Sequence, residues 1–417
     1  MAHPLRFLRW SPAPADATPT QRQNFIYVQI DAIGIGLANA AAPFLPVFLT
    51  RLGASNFQVG LLTSMPALTG LLFGVLVGRF LQGRRNVVPW FSGARFVSIS
   101  AYALTGLIPF LVPAQYAVLA VLIIWAAVTL PQTMVNVAFS VVMNAVAGPK
   151  HRYELMSRRW SILGLTSALT VSIVGQMLER LAFPVNYQLA FVALSIGGLI
   201  SLIFSSRIQL PEQISPSSPT STHQTLFDRL RGYANAIREH PDFVSFTAKR
   251  FVFLSGIALG TPLFPLYLVR EVQAADVWIG FISTAQTFVL VMGYLFWTRQ
   301  SRRRGSRFVL VWTTFGLALY PALVAATPNV VAIAVLSGLA GIFQAGLDLV
   351  FFDELMKTVP PNQTATFVSL AQSLQYLSGV VAPLAGTFLA DHIGLSGALL
   401  VSAALRLAGW AWFAWRR

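Results

Sequence analysis

The chain lacks cysteine and carries little charge. Without cysteine there is no disulfide framework, no thiol nucleophile and no thiolate metal site. Charged residues make up only 10% of its 417 residues and apolar residues make up 55%, which is far from the averages of soluble proteins. The five histidines fall in predicted tails or connecting loops, so a membrane-embedded haem or zinc site would have no histidine ligands.

Motifs of catalysis are missing as well. The sequence has no Walker-type phosphate loop, no dinucleotide fingerprint and no recognisable Ser/His/Asp set. We therefore expect neither an enzyme nor a bound cofactor or metal. Because no ATP site is evident, any transport by this chain should be secondary.

Apolar stretches of about 20 residues follow one another along nearly the whole chain. Each could cross about 30 Å of hydrocarbon as a helix. Twelve such segments are predicted, at about 25–50, 57–80, 87–111, 114–146, 159–179, 187–206, 242–269, 276–298, 307–326, 329–356, 366–390 and 395–415. The expected fold class is an all-α membrane protein with twelve transmembrane helices.

Part of the sequence occurs twice. Residues Pro43–Arg51 recur as Pro262–Arg270, an offset of 219. After one inserted residue the similarity continues, with Val59–Ser64 matching Ile279–Thr284. A half-length repeat in apolar sequence predicts two pseudo-symmetric six-helix bundles, an arrangement that lets a carrier rock about a central site.

The net charge of +15 is unevenly distributed. If the N-terminus is cytoplasmic, 22 of the 29 basic residues fall in cytoplasmic segments and only Arg51, Arg180 and Arg270 fall in outer loops. This positive-inside bias predicts an integral protein of a bacterial inner membrane with both termini in the cytoplasm. The basic residues then face anionic lipid, and nucleic acid is not expected as a partner.

The longest polar stretch divides the chain. We expect a cytoplasmic tail over 1–23, an N-terminal six-helix bundle over 24–206, a cytoplasmic linker over 207–241 and a C-terminal six-helix bundle over 242–417. Within the linker, a Ser/Pro run precedes apolar residues at helical spacing and three arginines. That pattern fits either a short helix lying on the membrane surface or a solvated tether.

A basic motif lies between the second and third segments. It comprises Gly74, Gly78-Arg79-Phe80 and Gly83-Arg84-Arg85. Together with twelve segments in two halves and a long central loop, it resembles the loop motif of the major facilitator superfamily (MFS), with two residues inserted. The resemblance covers essentially the whole chain and implies a transporter of a small-molecule substrate. We expect a monomer surrounded by membrane lipids.

Two departures from the family pattern affect this interpretation. Gly78 stands where the family has an acidic residue that helps latch the cytoplasmic gate, so the latch should differ here. The fifth segment, Trp160–Glu179, has no proline and therefore lacks the Gly-Pro motif of the family's drug/proton antiporters. Export remains open, but the drug-antiporter interpretation is weakened.

Charges inside the predicted helices need a partner or a function. Asp31 lies in segment one, and the repeat offset places Arg250 at the matching position of segment seven. Tyr27 shares the helical face of Asp31. Asp31 could accept a proton while Arg250 adjusts its affinity for that proton or holds an anionic group, or the two could form a structural ion pair. Arg95 is expected to reach the inner surface.

Segments four and ten repeat a polar pattern with an offset of 212. Gln132 and Asn136 align with Gln344 and Asp348, each pair at i,i+4 spacing on one helical face. The resemblance implies that these helices line the cavity, so the four side chains would contact the substrate, with Asp348 also a candidate for ion coupling. The alternative is interhelical hydrogen bonding. Gln375 is a weaker candidate for the same cavity.

A cytoplasmic gate is predicted from charges at the inner ends of the segments. Asp353 and Glu354 could pair with Arg158 and Arg159 when the gate closes, replacing the altered motif. Alternatively these are exposed loop charges. The motif arginines, Arg79 and Arg84, belong to the same predicted gate.

These patterns predict a secondary carrier that moves a small, largely apolar or amphipathic solute across the inner membrane by alternating access. We expect coupling to protons, and export in preference to uptake. Three alternatives remain open: a nutrient or sugar uptake carrier, a lipid or lysolipid flippase, and a non-transporting assembly factor that uses the fold as a membrane scaffold.

Overall fold

The structure is a computed structural model that describes residues 13–14, 16–210, 240–359 and 364–415. All regular secondary structure in these residues is helical. We refer to residues 16–210 as the N-half and to residues 240–415 as the C-half. The predicted surface helix of the linker lies outside the described residues.

The N-half contains six helical elements. They are α1 (Pro19–Asn39), α2 (Phe44–Arg51), α3 (Asn56–Gln82), α4 (Val88–Leu111), α5 (Ala114–Leu178) and α6 (Val185–Ser205). Helices α1 and α3 each begin at a capping box. The hydroxyls of Thr18 and Ser55 accept a hydrogen bond from the backbone N–H three residues on, and their own backbone N–H groups donate to the side-chain oxygen of the glutamine at that position. The long α5 is two helices that meet at Gly148, whose φ of 63° is not helical.

The C-half repeats this order. Its elements are α7 (Pro241–Gly260), α8 (Leu263–Arg270), α9 (Asp276–Arg304), α10 (Ser306–Ala325), α11 (Val330–Thr358) and α12 (Thr364–Ala414). The last element is two helices that meet at Gly394, with φ 79°. Among the described residues, eleven helical stretches are long and apolar enough to cross a membrane. The chain is therefore an all-helical integral membrane protein.

The two halves pack on each other through helix pairs. Helix α3 of the N-half contacts α12 of the C-half, and α5 contacts α9. The approach is close at two glycines: a Cβ on Gly175 would lie 3.3 Å from the Cα of Gly280, and one on Gly70 would lie 2.8 Å from the ring of Tyr376. Further along α3, a Cβ on Gly74 would have no other atom within 4 Å, so no neighbouring helix packs closely against that position.

The apolar core differs between the two ends of the molecule. At the end that contains α2 and α8, one cluster extends across both halves and includes Phe48, Phe191, Leu263 and Ile279. Towards the opposite end there are two separate clusters, one within each half. For the described residues, buried apolar packing therefore joins the halves at the first end and not at the second.

Candidate functional site

Two arginines connect the halves at the end where the core is continuous. Arg51, the last residue of α2, forms an ion pair of 2.7 Å with Asp276 at the start of α9. Arg270, the last residue of α8, donates a 2.7 Å hydrogen bond to the side-chain oxygen of Asn56 at the start of α3. Each arginine thus reaches from its own half to the first turn of a helix in the other half.

The backbone contacts of the two arginines are reciprocal too. Arg51 donates to the carbonyl of Ala274 at 3.5 Å, and Arg270 donates to the carbonyl of Ala54 at 2.5 Å. The arginines are matched in the sequence repeat with offset 219, and their partners are matched with offset 220. We call this set of six residues the arginine clasp.

The clasp is chemically unequal on its two sides. Asp276 is 3% exposed and also accepts a hydrogen bond from the hydroxyl of Tyr187. Its counterpart in the repeat is the neutral Asn56, which in turn donates to a carboxylate oxygen of Asp391 at 2.7 Å. The contact of Arg51 with the other half is therefore a direct ion pair. In the contact of Arg270 with the other half, the amide of Asn56 lies between the arginine and the carboxylate of Asp391.

A cavity of about 340 Å³ lies between the halves. Helices α3 and α5 line it from the N-half, and α7 and α12 line it from the C-half together with Thr261, which follows α7. Half of the lining residues carry hydrogen-bonding side chains: Thr63, Thr133, Asn136, Thr261, Gln375, Tyr376 and Ser378. We call it the central cavity; its mixed lining suits a solute that has both polar and apolar surfaces.

A second cavity of about 400 Å³ lies within the N-half, between α1, α4 and the two parts of α5. Arg95, Gln132, Asn136 and Arg159 contribute to its wall. Asn136 lines both cavities, so the two are neighbours. The structure thus places Gln132 and Asn136 in a cavity wall.

Asp31 is fully buried beside Arg95. Its carboxylate accepts hydrogen bonds of 2.8 and 2.7 Å from Arg95 and one of 2.6 Å from the hydroxyl of Ser201. Two sequence-based expectations are therefore wrong. The charged partner of Asp31 is Arg95 of the same half rather than Arg250, and Arg95 is 4% exposed and turned inward rather than reaching the surface.

Arg250 has a neutral partner in its own half. It donates to the side-chain oxygen of Gln375 at 2.8 Å, and its guanidinium carbon lies 5.8 Å from the ring centroid of Phe351. The structure thereby joins two of the predicted site residues, and Gln375 lines the central cavity.

Asp348 and Gln344 form a second cluster with a tyrosine. Gln344 donates to Asp348 at 2.7 Å, and the hydroxyl of Tyr294 on α9 donates to its other oxygen at 3.0 Å. No described cation lies within ion-pair distance of Asp348. Among the described residues, no hydrogen bond connects this cluster to Gln132 or Asn136, so the predicted four-residue ring is not assembled here.

Tyr27 lies elsewhere. Its hydroxyl accepts a 3.0 Å hydrogen bond from Gln23, and its ring packs 6.2 Å from that of Phe204 on α6. It is not in the wall of either cavity. Its position beside Asp31 on α1 therefore does not bring it into the candidate site.

Among the described residues, Arg159, Asp353 and Glu354 of the predicted gate form no ion pair with each other across the halves. Asp353 and Glu354 both form ion pairs with Lys357 of their own helix, at 2.7 and 2.8 Å. Arg159 lines the N-half cavity. Arg84 stacks on the rings of Phe80 and Trp90, while Arg79 is exposed. Pairing of these charges in a closed gate stays a prediction.

Sequence reasoning missed the clasp. It recognised Arg51 and Arg270 as matched copies and related them to bundle geometry and orientation. The one-residue insertion that makes Asn56 equivalent to Asp276 was also visible. What the sequence did not reveal is that these contacts cross between the halves. Among the described residues, no three His, Asp or Glu side chains come together as a metal site.

Comparisons with known proteins agree with this architecture. A family model described as Major Facilitator Superfamily matches residues 250–417. A putative sugar efflux transporter of Deinococcus radiodurans is 23% identical, over 91% of this chain and 95% of its own length. Multidrug resistance protein MdtG of Salmonella choleraesuis is 27% identical over 37% of this chain and 39% of its own.

Solved structures show the same fold. A crystal structure of a mutant of the nucleoside transporter NupG superposes with a TM-score of 0.71 at 11% identity, covering 95% of this chain and 99% of that one. A bacterial homologue of the iron transporter ferroportin, in an inward-facing state, gives 0.69 at 14% identity, covering 95% and 98%. The relatives that the chain resembles are named as transporters and not as enzymes. The chain therefore resembles transporters of the major facilitator superfamily, and its residues 250–417 match the model of that family.

Proposed function

We propose that this chain is a proton-coupled secondary carrier that exports a small amphipathic, hydroxyl-bearing solute across the inner membrane by alternating access. The observation that carries the proposal is that, in the part of the chain that the structure describes, arginine contacts and buried apolar packing join the halves at one end only. There the arginine clasp and a continuous apolar core hold them together, whereas at the other end each half has its own core. In such a molecule the closed end can open when the halves come together at the other end.

Twelve transmembrane helices in two pseudo-symmetric bundles are part of this proposal. The last apolar stretch, Phe367–Ala414, has 48 residues, which as a single helix would be about 72 Å long, more than twice the hydrocarbon thickness. The break at Gly394 allows it to cross twice. The reciprocal clasp supports the symmetry, because equivalent residues of 24–206 and 242–417 make equivalent contacts.

The orientation follows from the same residues. Arg51 and Arg270 belong to the few basic residues predicted outside, so the clasp would close the outer end and leave the cytoplasmic end open. In the opposite state, pairing of Arg158 with Asp353 or Glu354, one part of the predicted gate, would close the inner end. This exchange of ionic contacts is a known way to switch between packed states.

The central cavity supports the choice of solute. Its hydroxyl and amide groups can bind the hydroxyls of a ring, and its apolar residues can pack against the ring faces. The relatives named as a sugar efflux transporter and a multidrug resistance protein support export. Asp348 is the better candidate for proton coupling, because proton uptake at Asp31 would break the ion pair with Arg95.

The test is whether breaking the clasp opens the outer end. Because the natural chain has no cysteine, Thr261→Cys adds a single thiol in the central cavity. Adding Arg51→Gln and Arg270→Gln should raise labelling by a membrane-impermeant thiol reagent from the outer side about tenfold, a free-energy shift of about 1.4 kcal/mol. The readout is the labelled fraction in oriented vesicles.

The matched control is Arg180→Gln in the same Thr261→Cys background, since Arg180 is an exposed arginine of a predicted outer loop that takes no part in the clasp. It should leave labelling unchanged. Equal labelling of clasp variant and control would contradict alternating access through this end.

A further inference from the structure

The charges around the N-half cavity do not balance. Asp31 neutralises Arg95 through the 2.7 Å ion pair. Arg159, in the same cavity wall, is 3% exposed, and no described carboxylate lies within ion-pair distance of it. Its Nε is buried without a hydrogen-bond acceptor. The cavity therefore has one buried positive charge in excess.

Aromatic rings hold this guanidinium in place. Its central carbon lies 4.6 Å from the ring centroid of Phe139 and 5.2 Å from that of Trp160. Cation–π contact satisfies the face of the guanidinium plane, while the Nε–H group in that plane is buried without an acceptor. A buried charge of this kind is costly unless an opposite charge is present during some part of the protein's cycle.

We propose that Arg159 binds a carboxylate of the transported solute, which makes the substrate a small hydroxylated organic anion. This inference rests on the proposed function and specifies its substrate class. The planar fork of an arginine matches a carboxylate through two parallel hydrogen bonds. Gln132 and Asn136 supply neutral hydrogen-bonding groups in the same wall, and Asn136 connects it to the central cavity where the hydroxylated part would lie.

Charge balance favours a carboxylate over a phosphate. A single unpaired guanidinium compensates one negative charge, whereas a phosphate monoester carries about −1.5 to −2 at neutral pH. Arg95 adds no further compensation, because Asp31 already pairs with it. For the same reason the cavity disfavours cationic solutes.

Three probes separate these chemistries. Galacturonate and galactose differ in a carboxylate, and galactose 6-phosphate carries the phosphate instead. Calorimetric titration of the purified full chain should give at least tenfold tighter binding of galacturonate than of galactose, with galactose 6-phosphate in between. Arg159→Gln should abolish the preference and Arg159→Lys should retain part of it. Lys249→Gln, which removes a cation from outside both cavities, should leave it unchanged.

The proposal is overturned if wild-type protein binds galacturonate no better than galactose, prefers the phosphate, or keeps its preference in Arg159→Gln. A second measurement needs no ligand. Removing an uncompensated buried charge should stabilise the empty protein, so Arg159→Met should raise Tm by about 2 °C, whereas Arg95→Met should lower it. A fall of Tm in Arg159→Met would also count against the proposal.

These measurements are independent of the proposed transport cycle. Binding and Tm are read in detergent without a membrane gradient, whereas the clasp experiment reports opening without any solute. Loss of anion preference with normal clasp behaviour would therefore reject only the substrate class. Normal anion preference with no clasp effect would reject only the transport cycle.

Discussion

The two halves treat their buried charges differently. In the N-half, Asp31 and Arg95 neutralise each other, and Ser201 completes the coordination of the carboxylate. In the C-half, Arg250 and Asp348 have only neutral hydrogen-bond partners among the described residues, a glutamine for the first and a glutamine with a tyrosine for the second. The two halves therefore differ in whether these buried charges have an oppositely charged partner.

The difference indicates a division of roles. A buried ion pair with all its hydrogen bonds made resists change, because removing either member leaves the other charge uncompensated. A charged side chain whose hydrogen-bond partners are neutral can gain or lose a proton, or change its partner. No opposite charge is then left unpaired in the membrane interior. We therefore assign Asp31 and Arg95 to the architecture of the N-half, and we look for ion coupling in the C-half.

The largest effect is expected from Asp31→Asn. It leaves Arg95 buried without its counter-charge and should destabilise the protein by about 3–5 kcal/mol. Unfolding of the purified protein, followed in detergent by heat or denaturant, measures this loss. If stability instead stays within about 1 kcal/mol of wild type, the pair isn't architectural and the comparison between halves fails.

The double variant Asp31→Asn/Arg95→Met sharpens the result. Because the two residues form one ion pair, their effects should not add, and the double variant should be more stable than Asp31→Asn alone. Additive losses would mean that each residue acts through other neighbours.

A functional effect is expected from Asp348→Asn. The substitution keeps the size of the side chain and one acceptor for Tyr294 or Gln344, so stability should change by less than about 1 kcal/mol. Galacturonate flux in proteoliposomes should lose its response to an imposed pH gradient by a factor of about ten, because the proposed proton-carrying carboxylate has been removed. Asp242→Asn, at an exposed carboxylate in the first turn of α7, serves as the control.

A full gradient response in Asp348→Asn would remove this residue from the coupling mechanism. In that case Asp31, despite its ion pair, would be the remaining candidate of the original two. An equal loss in the Asp242→Asn control would instead indicate that removing any carboxylate disturbs transport.

The sequence predicted the fold better than the site. Composition and apolar length were sufficient for an all-helical membrane protein, because each span is a local property of about 20 residues. The repeat identified Arg51 and Arg270 as equivalent. The i,i+4 spacing of Gln132 and Asn136 on one helical face led to two residues that do line a cavity wall.

Side-chain pairing could not be predicted in the same way. Asp31 and Arg95 are 64 residues apart, and their contact depends on how α1, α4 and α6 pack together. The sequence repeat was the basis for matching Asp31 with Arg250. A repeat identifies equivalent positions in the two halves and does not identify residues in contact. Arg159 was predicted at a gate because its position near the end of a segment is equally compatible with a loop charge and a cavity wall.

The smallest effect is expected from Arg250→Gln. Arg250 donates to Gln375, which lines the central cavity, so the arginine should position the amide rather than bind the solute itself. Without this hydrogen bond the amide can rotate, and galacturonate should bind about threefold more weakly, a cost of about 0.6 kcal/mol within the range of one hydrogen bond. Titration calorimetry measures the change, and Lys249→Gln at the adjacent position is the control. A loss of affinity above tenfold would mean that Arg250 contacts the solute directly. The C-half would then also contain an anion-binding arginine. In that case the difference between the halves in how they hold buried charge would rest on Asp348 alone.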